Sequence, residues 1–301
     1  MTTRQADVTS APVPPIAPPR AARRPALRGL KRLLLYVVMT GLALIFIYPF
    51  IWTVSASLKP REDVFNNRII PNNWAAENYE KVWDAAQLLT WMLNSLEVAF
   101  LAAGAVTLSS ALVAFGFAYF RFPGRNFLFG LVLATMMLPF AVTMIPVFLI
   151  WNELGLVNTK IPLWAMNLFG SAFYIFLLRQ FFLGIPRELF EAARIDGDNF
   201  FTMFLRIALP LAKPALVVAF VFELQASWND LIKPLIYLQD PELYTIPLGL
   251  KTILDGFGQS GEMQWEVILA ATVVATIPMI LIFFLGQRYF VQGIAAAGRK
   301  G

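Results

Sequence analysis

Six long apolar stretches divide this chain and constrain its fold more than any other feature. They cover approximately residues 33–52, 93–119, 127–151, 162–182, 212–236 and 267–289. A helix of about 20 apolar residues crosses the hydrocarbon core of a bilayer, and lipid offers no hydrogen-bond partners to an open sheet. The sequence therefore predicts an all-α, polytopic membrane protein with six transmembrane helices.

The composition supports this prediction, because 58% of the residues are hydrophobic and only 14% are charged. Soluble domains carry about 25% charged residues. The chain has neither Cys nor His, which excludes disulfides, Cys/His metal sites and His-based acid–base catalysis. We interpret its net charge of +5 as a topology signal and expect no nucleic-acid partner.

The positions of the prolines and basic residues predict the orientation. Residues 1–30 are rich in Pro, Ala and Arg, which predicts a disordered cytoplasmic tail before a membrane domain over 31–301. Most Lys and Arg residues lie before the first span, after the second span, in the connection at about 183–213 and at the C-terminus. The positive-inside rule therefore places both termini and this connection in the cytoplasm.

The connection at about 183–213, named here the cytoplasmic connection, carries the signals of two short helices. Pro186 suits the first turn of a helix, residues 187–196 are good helix formers, and Gly197 suits a left-handed helix terminator. Asp198 is predicted to cap the second helix. The expected unit is a helix, a glycine turn and a second helix near the membrane surface.

The first of these helices has the residues of a docking element. Ala192 and Ala193 leave it thin, while Glu191, Arg194 and Asp196 offer charge-assisted contacts at its edges. A thin helix fits a groove on another protein. An ordinary amphipathic helix at the membrane surface has the same spacing, so spacing alone leaves both interpretations open.

A longer motif runs through the cytoplasmic connection. It stands as Glu191-Ala192-Ala193, Gly197, Ile207 and Leu209-Pro210. This pattern resembles the signature of the permease subunits of bacterial ABC importers. Further stretches resemble the carbohydrate-uptake branch of that family, with its smaller, maltose-type permease: Trp228-Asn229-Asp230, Tyr244 to Leu250, and Gln287 to Val291.

The resemblance implies the type I ABC importer permease fold in the bacterial cytoplasmic membrane. It implies that the first helix of the cytoplasmic connection is a coupling helix, seated in a cleft of an ATPase. The docking residues would be Glu191, Ala192, Ala193, Arg194, Asp196 and Gly197. The implied partners are a second permease in a heterodimer, an ATPase dimer, an extracytoplasmic solute-binding protein and membrane lipid.

The chain itself is not expected to be an enzyme or to bind a cofactor. It lacks the Gly-x-x-x-x-Gly-Lys-Ser/Thr phosphate loop, whose backbone cradles nucleotide phosphates. The resemblance places ATP and Mg²⁺ in the partner ATPase.

Polar residues within the spans are candidates for contacts with a transported solute, because they are costly in lipid. The candidates are Asn94, Asn167, Tyr174, Glu223, Gln225, Trp228 and Asn229. Amides and carboxylates suit sugar hydroxyls, and the Tyr174 and Trp228 rings are candidate platforms. Hydrogen bonding between helices is an equal alternative for the polar groups. Pro139 and Pro146 are expected to break the third span.

The outer loop at about 237–266 is rich in glycine near its end. Asp255, Gly256, Gly258 and Gly261 are predicted to form a flexible loop that reaches toward the binding protein. A surface loop with turn glycines is an equal alternative.

The function predicted from these observations is that of a permease subunit forming half of the translocation pathway for a sugar or oligosaccharide. The same machinery for a polyol or a glycerol-phosphate-type solute is the first alternative. An ion-coupled secondary transporter is a further one, which would need no ATPase. A membrane enzyme would need convergent catalytic groups, and the sequence offers only scattered carboxylates.

Overall fold

The computed structural model describes residues 25–85, 87–259 and 264–297, and every regular element in these ranges is helical. The chain divides after Ile51 into two compact units. The described part of the first unit is residues 25–51, which belong to helix α1 (Pro25–Ser57). Pro25 starts α1 in the position where proline is preorganised for a helix. Residues 25–30 are therefore helical and not part of a disordered tail, and residues 1–24 lie outside the described residues.

Thirteen further helices follow within the described residues. They are α2 (Glu77–Ala85), α3 (Leu88–Tyr119), α4 (Arg125–Ala134), α5 (Phe140–Glu153), α6 (Ile161–Trp164), α7 (Ala172–Phe182), α8 (Arg187–Ile195), α9 (Phe200–Met203), α10 (Leu209–Leu211), α11 (Lys213–Trp228), α12 (Ile232–Tyr237), α13 (Ile246–Gln259) and α14 (Trp265–Ala297). Short 3₁₀ turns lie at Arg61–Asp63, Thr135–Met137, Ala165–Phe169 and Pro241–Leu243, and a π-helical turn at Phe204–Ala208.

Four segments of the described residues are long and apolar enough to cross a membrane as single spans. They are Lys31–Ser57, Leu88–Tyr119, Ile161–Phe182 and Trp265–Gln287. Two bent helix pairs raise the number to six if each pair is one span: Arg125–Met137 with Phe140–Glu153, at 97°, and Phe200–Leu211 with Lys213–Trp228, at 79°. The predicted number of spans corresponds to this upper count.

The third predicted span, 127–151, is sharply bent at one of its two prolines. The backbone at Leu138 turns to an extended conformation, with ψ 115°, because a residue that precedes proline is disfavoured in the helical region. Pro139 then begins a new helix as its N-cap. Pro146 lies inside α5 without interrupting it, so the prediction of a break there is wrong.

Helix α3 lies at the centre of the second unit, with α7 and α11 packed along it. Its contact positions are small residues without exposed surface, including Ala99, Ala102, Ala103, Ala111 and Ala114. Small side chains let helix backbones approach closely, which favours association where both helices are equally apolar.

The fourth span is interrupted where it crosses α3. Gly170 adopts φ +78°, a conformation that glycine reaches without steric cost. The freed backbone groups are satisfied by α3, because Ser110 Oγ accepts from the Ser171 N–H at 3.1 Å and Ser109 Oγ donates to the Asn167 carbonyl at 3.0 Å. This break brings Asn167 into the membrane interior beside α3 and α11.

The fifth predicted span, 212–236, is shorter than expected. Helix α11 ends at Trp228, and Asp230 accepts hydrogen bonds from the N–H groups of Ile232 and Lys233 at 3.0 and 3.2 Å. Asp230 precedes Leu231, the N-cap of α12, and its carboxylate satisfies the first two N–H groups of this separate short helix.

Candidate functional site

The cytoplasmic connection begins with helix α8, which ends in a hydrogen-bonded glycine turn. Gly197 adopts φ +89°, and its N–H donates to the Arg194 carbonyl at 3.2 Å. The next N–H, of Asp198, donates back to the Ala193 carbonyl at 2.9 Å. These two bonds form a Schellman motif, which closes a helix at a left-handed residue. The prediction of Gly197 as a left-handed helix terminator is confirmed.

The second helix is capped one residue later than predicted. Asn199 Oδ1 accepts from the Thr202 N–H at 2.8 Å, so Asn199 and not Asp198 is the N-cap of α9. Asp198 instead belongs to the turn that closes α8, through its N–H, and α9 begins one residue further along the chain than predicted.

One face of α8 packs against the rest of the second unit, named here the membrane unit. Phe190 is 5% exposed and Ala193 is 7% exposed. The Phe190 ring lies 5.2 Å from Tyr119 and 5.9 Å from Phe115, centroid to centroid, and Phe115 also packs against Phe204 at 5.3 Å. Ala193 therefore faces the chain's own core, and its assignment to the docking surface is wrong.

The other face of α8 is exposed. It carries five of the predicted docking residues: Glu191, Ala192, Arg194, Asp196 and Gly197. Sequence reasoning missed Ile195, which is 86% exposed and ends the helix between two of these residues. An isoleucine this exposed on a helix suits a groove on another protein. The signal was its position, since helical spacing places it four residues after Glu191 on the same face.

Three of the predicted pore residues meet inside the membrane unit. Asn167 Nδ2 donates to Glu223 Oε1 at 2.6 Å and to the Ala102 carbonyl at 3.2 Å. The Tyr174 hydroxyl also interacts with the Glu223 carboxylate. These contacts join the break in the fourth span to α3, α7 and α11, so in this structure Asn167 and Glu223 bond helix to helix.

The remaining candidates on α11 divide by exposure. Gln225 and Asn229 are exposed, and Asn229 Nδ2 donates to the Gln225 carbonyl at 2.8 Å. Trp228 is 4% exposed and packs in a cluster with Trp91 and Val267, and Tyr174 is 6% exposed. Both aromatic rings are therefore enclosed by the chain itself in this conformation, while the two amides are open.

Asn94 organises the outer end of α3. Its Nδ2 donates to the carbonyls of Glu242 and Tyr244, at 2.8 and 3.0 Å, and its Oδ1 accepts from Lys160 at 3.1 Å. Lys160 also forms an ion pair with Glu97. With all its polar atoms engaged and 7% of its surface exposed, Asn94 holds the loop before α13 in place.

The glycine-rich outer segment is helical as far as the structure describes it. Asp255, Gly256 and Gly258 lie in α13 (Ile246–Gln259), and Gly261 lies outside the described residues. The prediction of a flexible loop over the first three is wrong. Glycine costs a helix about 1 kcal/mol, but the apolar side of α13 packs against α3 and α14, and tertiary packing outweighs that cost.

An exposed ion pair lies along α13. Lys251 Nζ and Asp255 Oδ2 are 2.5 Å apart, one helical turn from each other. Burial raises the pKa of the Tyr237 phenol, so its hydroxyl stays protonated at physiological pH.

The chain resembles known transport proteins along nearly its whole length. A family model described as "Binding-protein-dependent transport system inner membrane component" matches residues 105–296. The chain is 33% identical over 273 residues to the arabinooligosaccharides transport system permease protein of Halalkalibacterium halodurans, covering 89% of this chain and 96% of that protein. It is 35% identical over 276 residues to the sn-glycerol-3-phosphate transport system permease protein of Salmonella typhi, with shares of 89% and 96%.

Solved structures share the fold. A chain of a bacterial ABC transporter involved in the import of the acidic polysaccharide alginate matches with a TM-score of 0.74 at 24% identity, over 90% of this chain and 99% of that one. The alginate transporter in complex with a periplasmic protein bound to an alginate pentasaccharide matches with a TM-score of 0.62 at 17% identity, over 86% and 94%. The predicted all-α permease fold is confirmed. The chain belongs to the family of inner membrane components of binding-protein-dependent transport systems, the permease subunits of ABC importers.

Proposed function

We propose that this chain forms half of the translocation pathway of an ATP-driven importer for a neutral sugar or oligosaccharide. A second permease would form the other half, and a binding protein outside the membrane would deliver the solute. Relatives named for the transport of arabinooligosaccharides, at 33% identity, and of lactose, from Rhizobium radiobacter at 30% identity, support this substrate class.

The observation that carries the proposal is the division of α8 into two faces. Phe190 and Ala193 anchor the helix in a cluster around Phe115, while Glu191 and Ile195 are exposed. This cluster, named here the aromatic core, also contains Tyr119, Phe182 and Phe204. An isolated interfacial helix would bury its apolar residues in lipid. Here Ile195 stands among charged residues on the exposed face, which suits a groove of a soluble partner. We infer that this partner is the ATPase, which would bind ATP and Mg²⁺.

The aromatic core gives the route by which force would reach the membrane. Phe115 on α3 packs against Phe190 of α8, Phe182 of α7 and Phe204, at centroid distances of 5.3 to 6.0 Å. A displacement of α8 by a closing ATPase would therefore move the cytoplasmic ends of α3 and α7 with it. Close-packed interiors transmit such shifts because they deform little.

The pathway itself would be lined by the open amides of α11. Gln225 and Asn229 offer neutral donors and acceptors of the kind that sugar hydroxyls need, and they lie one turn apart on one exposed face. The buried pair Asn167 and Glu223 would set the position of α11 behind them. Neither α3 nor α11 contains an arginine, the residue that a phosphate group favours.

A second candidate solute is a phosphorylated polyol. It is favoured by the relative named for sn-glycerol-3-phosphate transport, at 35% identity, and the second permease could supply the basic residues. Proteoliposomes that contain the complete importer and its binding protein would decide between the two. Labelled arabinooligosaccharide or lactose that accumulates with ATP supports the neutral sugar, whereas accumulation of glycerol 3-phosphate alone supports the alternative.

The docking assignment is tested by copurification of the ATPase with the assembled permease. We expect Glu191→Lys and Ile195→Asp to release the ATPase, since loss of a buried anchor costs an interface about 2 kcal/mol or more. The matched control is Glu80→Lys, an exposed residue of α2 on the other side of the membrane. Retention of the ATPase by both docking variants would refute the assignment. A wild-type permease that copurifies with no ATPase would refute it as well.

A further inference from the structure

A concave pocket lies at the turn between α3 and α4, apart from α8 and from the polar residues of α11. It encloses about 370 Å³ and is lined by Arg121, Phe122, Gly124, Arg125, Asn126 and Phe127. Gly124 adopts φ +78°, a conformation that lets the chain reverse and brings the two arginines to the same pocket.

The pocket carries positive charge without a neutralising partner. Arg125 is fixed in place, because one of its guanidinium nitrogens donates to the Phe120 carbonyl at 3.2 Å. Arg179 of α7 lies close enough to repel Arg125. None of the ion pairs within the described part of the chain involves Arg121, Arg125 or Arg179. An anion is the complement that this arrangement lacks.

The surroundings of the pocket are apolar and lie at the end of α3 that the positive-inside rule assigns to the cytoplasm. Phe122 is 39% exposed and Phe127 is 69% exposed. The exposed Leu128 and Leu131 of α4 continue this apolar surface. Charged headgroup contacts directly beside an apolar surface match the two parts of a phospholipid, and basic pockets between spans on the cytoplasmic side bind anionic headgroups.

We propose that this pocket binds the headgroup phosphate of an anionic membrane phospholipid. Arg121, Arg125 and Asn126 contact the phosphate through charge-assisted and neutral hydrogen bonds. The rings of Phe122 and Phe127 contact the adjoining glycerol and acyl chains. A free phosphate ion shares the headgroup chemistry but leaves the exposed surface of both rings uncovered.

Phe120 links the pocket to the cytoplasmic connection. Arg125 bonds the carbonyl of Phe120, and the Phe120 ring lies 4.9 Å from that of Phe200 in α9. A bound headgroup would hold Arg125 and so fix the turn that supports Phe120. An effect on coupling to an ATPase rests on the proposed function, whereas lipid binding does not.

Native mass spectrometry of the full-length chain in detergent tests the site with phosphatidylglycerol, phosphatidylcholine and inorganic phosphate as probes. We expect the wild type to retain phosphatidylglycerol over phosphatidylcholine. Loss of both charges in Arg121→Gln/Arg125→Gln should weaken phosphatidylglycerol binding about 25-fold. The charge-conserving Arg121→Lys/Arg125→Lys should keep most of the binding, and Arg206→Gln, an exposed arginine elsewhere in the cytoplasmic connection, should keep all of it.

The outcomes separate the proposal from its rivals. Equal retention of the two lipids by the wild type, or unchanged phosphatidylglycerol binding in the double Gln variant, would overturn it. Binding of inorganic phosphate with no lipid preference would replace the lipid by a soluble anion and also overturn it. Because the measurement needs no ATPase, its result is independent of the docking test above.

Discussion

The indole of Trp91 occupies the space where a side chain at Gly249 would stand. A Cβ atom built on Gly249 would lie 2.1 Å from Cε3 of Trp91, far inside van der Waals contact. The ring cannot easily withdraw, because it is 5% exposed and its Nε1 donates to the Pro241 carbonyl at 2.8 Å. Gly249 therefore permits the close approach of α13 to α3.

Replacement of Gly249 by alanine should destabilise the protein by about 1–3 kcal/mol, the usual cost of forcing atoms into a packed site. The measurement is the thermal midpoint of the detergent-solubilised chain by fluorescence-detected size exclusion. Gly104→Ala in α3 is the matched control, since nothing lies within 4 Å of a Cβ there and alanine is the better helix former. A Gly249→Ala midpoint equal to that of Gly104→Ala would contradict the clash.

The bond between Asn167 and Glu223 predicts an asymmetric response to substitution. Asn167→Leu leaves the half-buried carboxylate without its donor at 2.6 Å, and an unsatisfied polar group costs about 1–3 kcal/mol or more when charged. Glu223→Gln keeps an acceptor and removes the charge, so it should cost less.

The thermal midpoint again measures this effect, with Asn167→Leu/Glu223→Leu completing a double-mutant cycle. We expect the double variant to lose less stability than Asn167→Leu and Glu223→Leu lose together, because it leaves no orphaned carboxylate. Strict additivity would show that the two side chains do not depend on each other.

Elements of the fold that follow from residue composition were predictable from the sequence, whereas elements that depend on packing against distant segments were not. The spans were found because about 20 apolar residues are needed to cross a bilayer whatever surrounds them. The bend of 97° at Pro139 and the helix over Gly256 and Gly258 depend on packing against other segments. Local residue preferences carry no information about such packing.

The candidate site divides in the same way. The helix, the left-handed Gly197 and the exposed Glu191 follow from the local motif. The burial of Ala193 does not, because it depends on which side of α8 meets the aromatic core. Ile195 was overlooked because an isoleucine in a membrane protein is expected to be buried in protein or lipid, although its spacing from Glu191 already placed it on the face that the structure shows to be exposed.

The turn at Gly197 predicts a graded series of substitutions. With nothing within 4 Å of a Cβ there, the cost comes from the left-handed backbone alone, about 1–2 kcal/mol for most L-residues and less for asparagine. ATPase retention and transport should therefore fall in the order Gly, Asn, Ala, Val at this position. Equal activity of the asparagine and valine variants would mean that the left-handed turn is not required for docking.

The hydrogen bonds of Asn94 predict where the outer surface loosens first. Asn94→Leu is close in size but removes both donors to the carbonyls of Glu242 and Tyr244, so local stability should fall by about 1–3 kcal/mol. Hydrogen–deuterium exchange should then accelerate across residues 239–246. Lys160→Met is the control, because it removes a partly exposed ion pair worth about 1 kcal/mol or less and the bond to Asn94 Oδ1 while both donor bonds of Asn94 stay in place. Exchange that rises equally in the two variants would assign the order of this loop to the Lys160 charge and not to the amide.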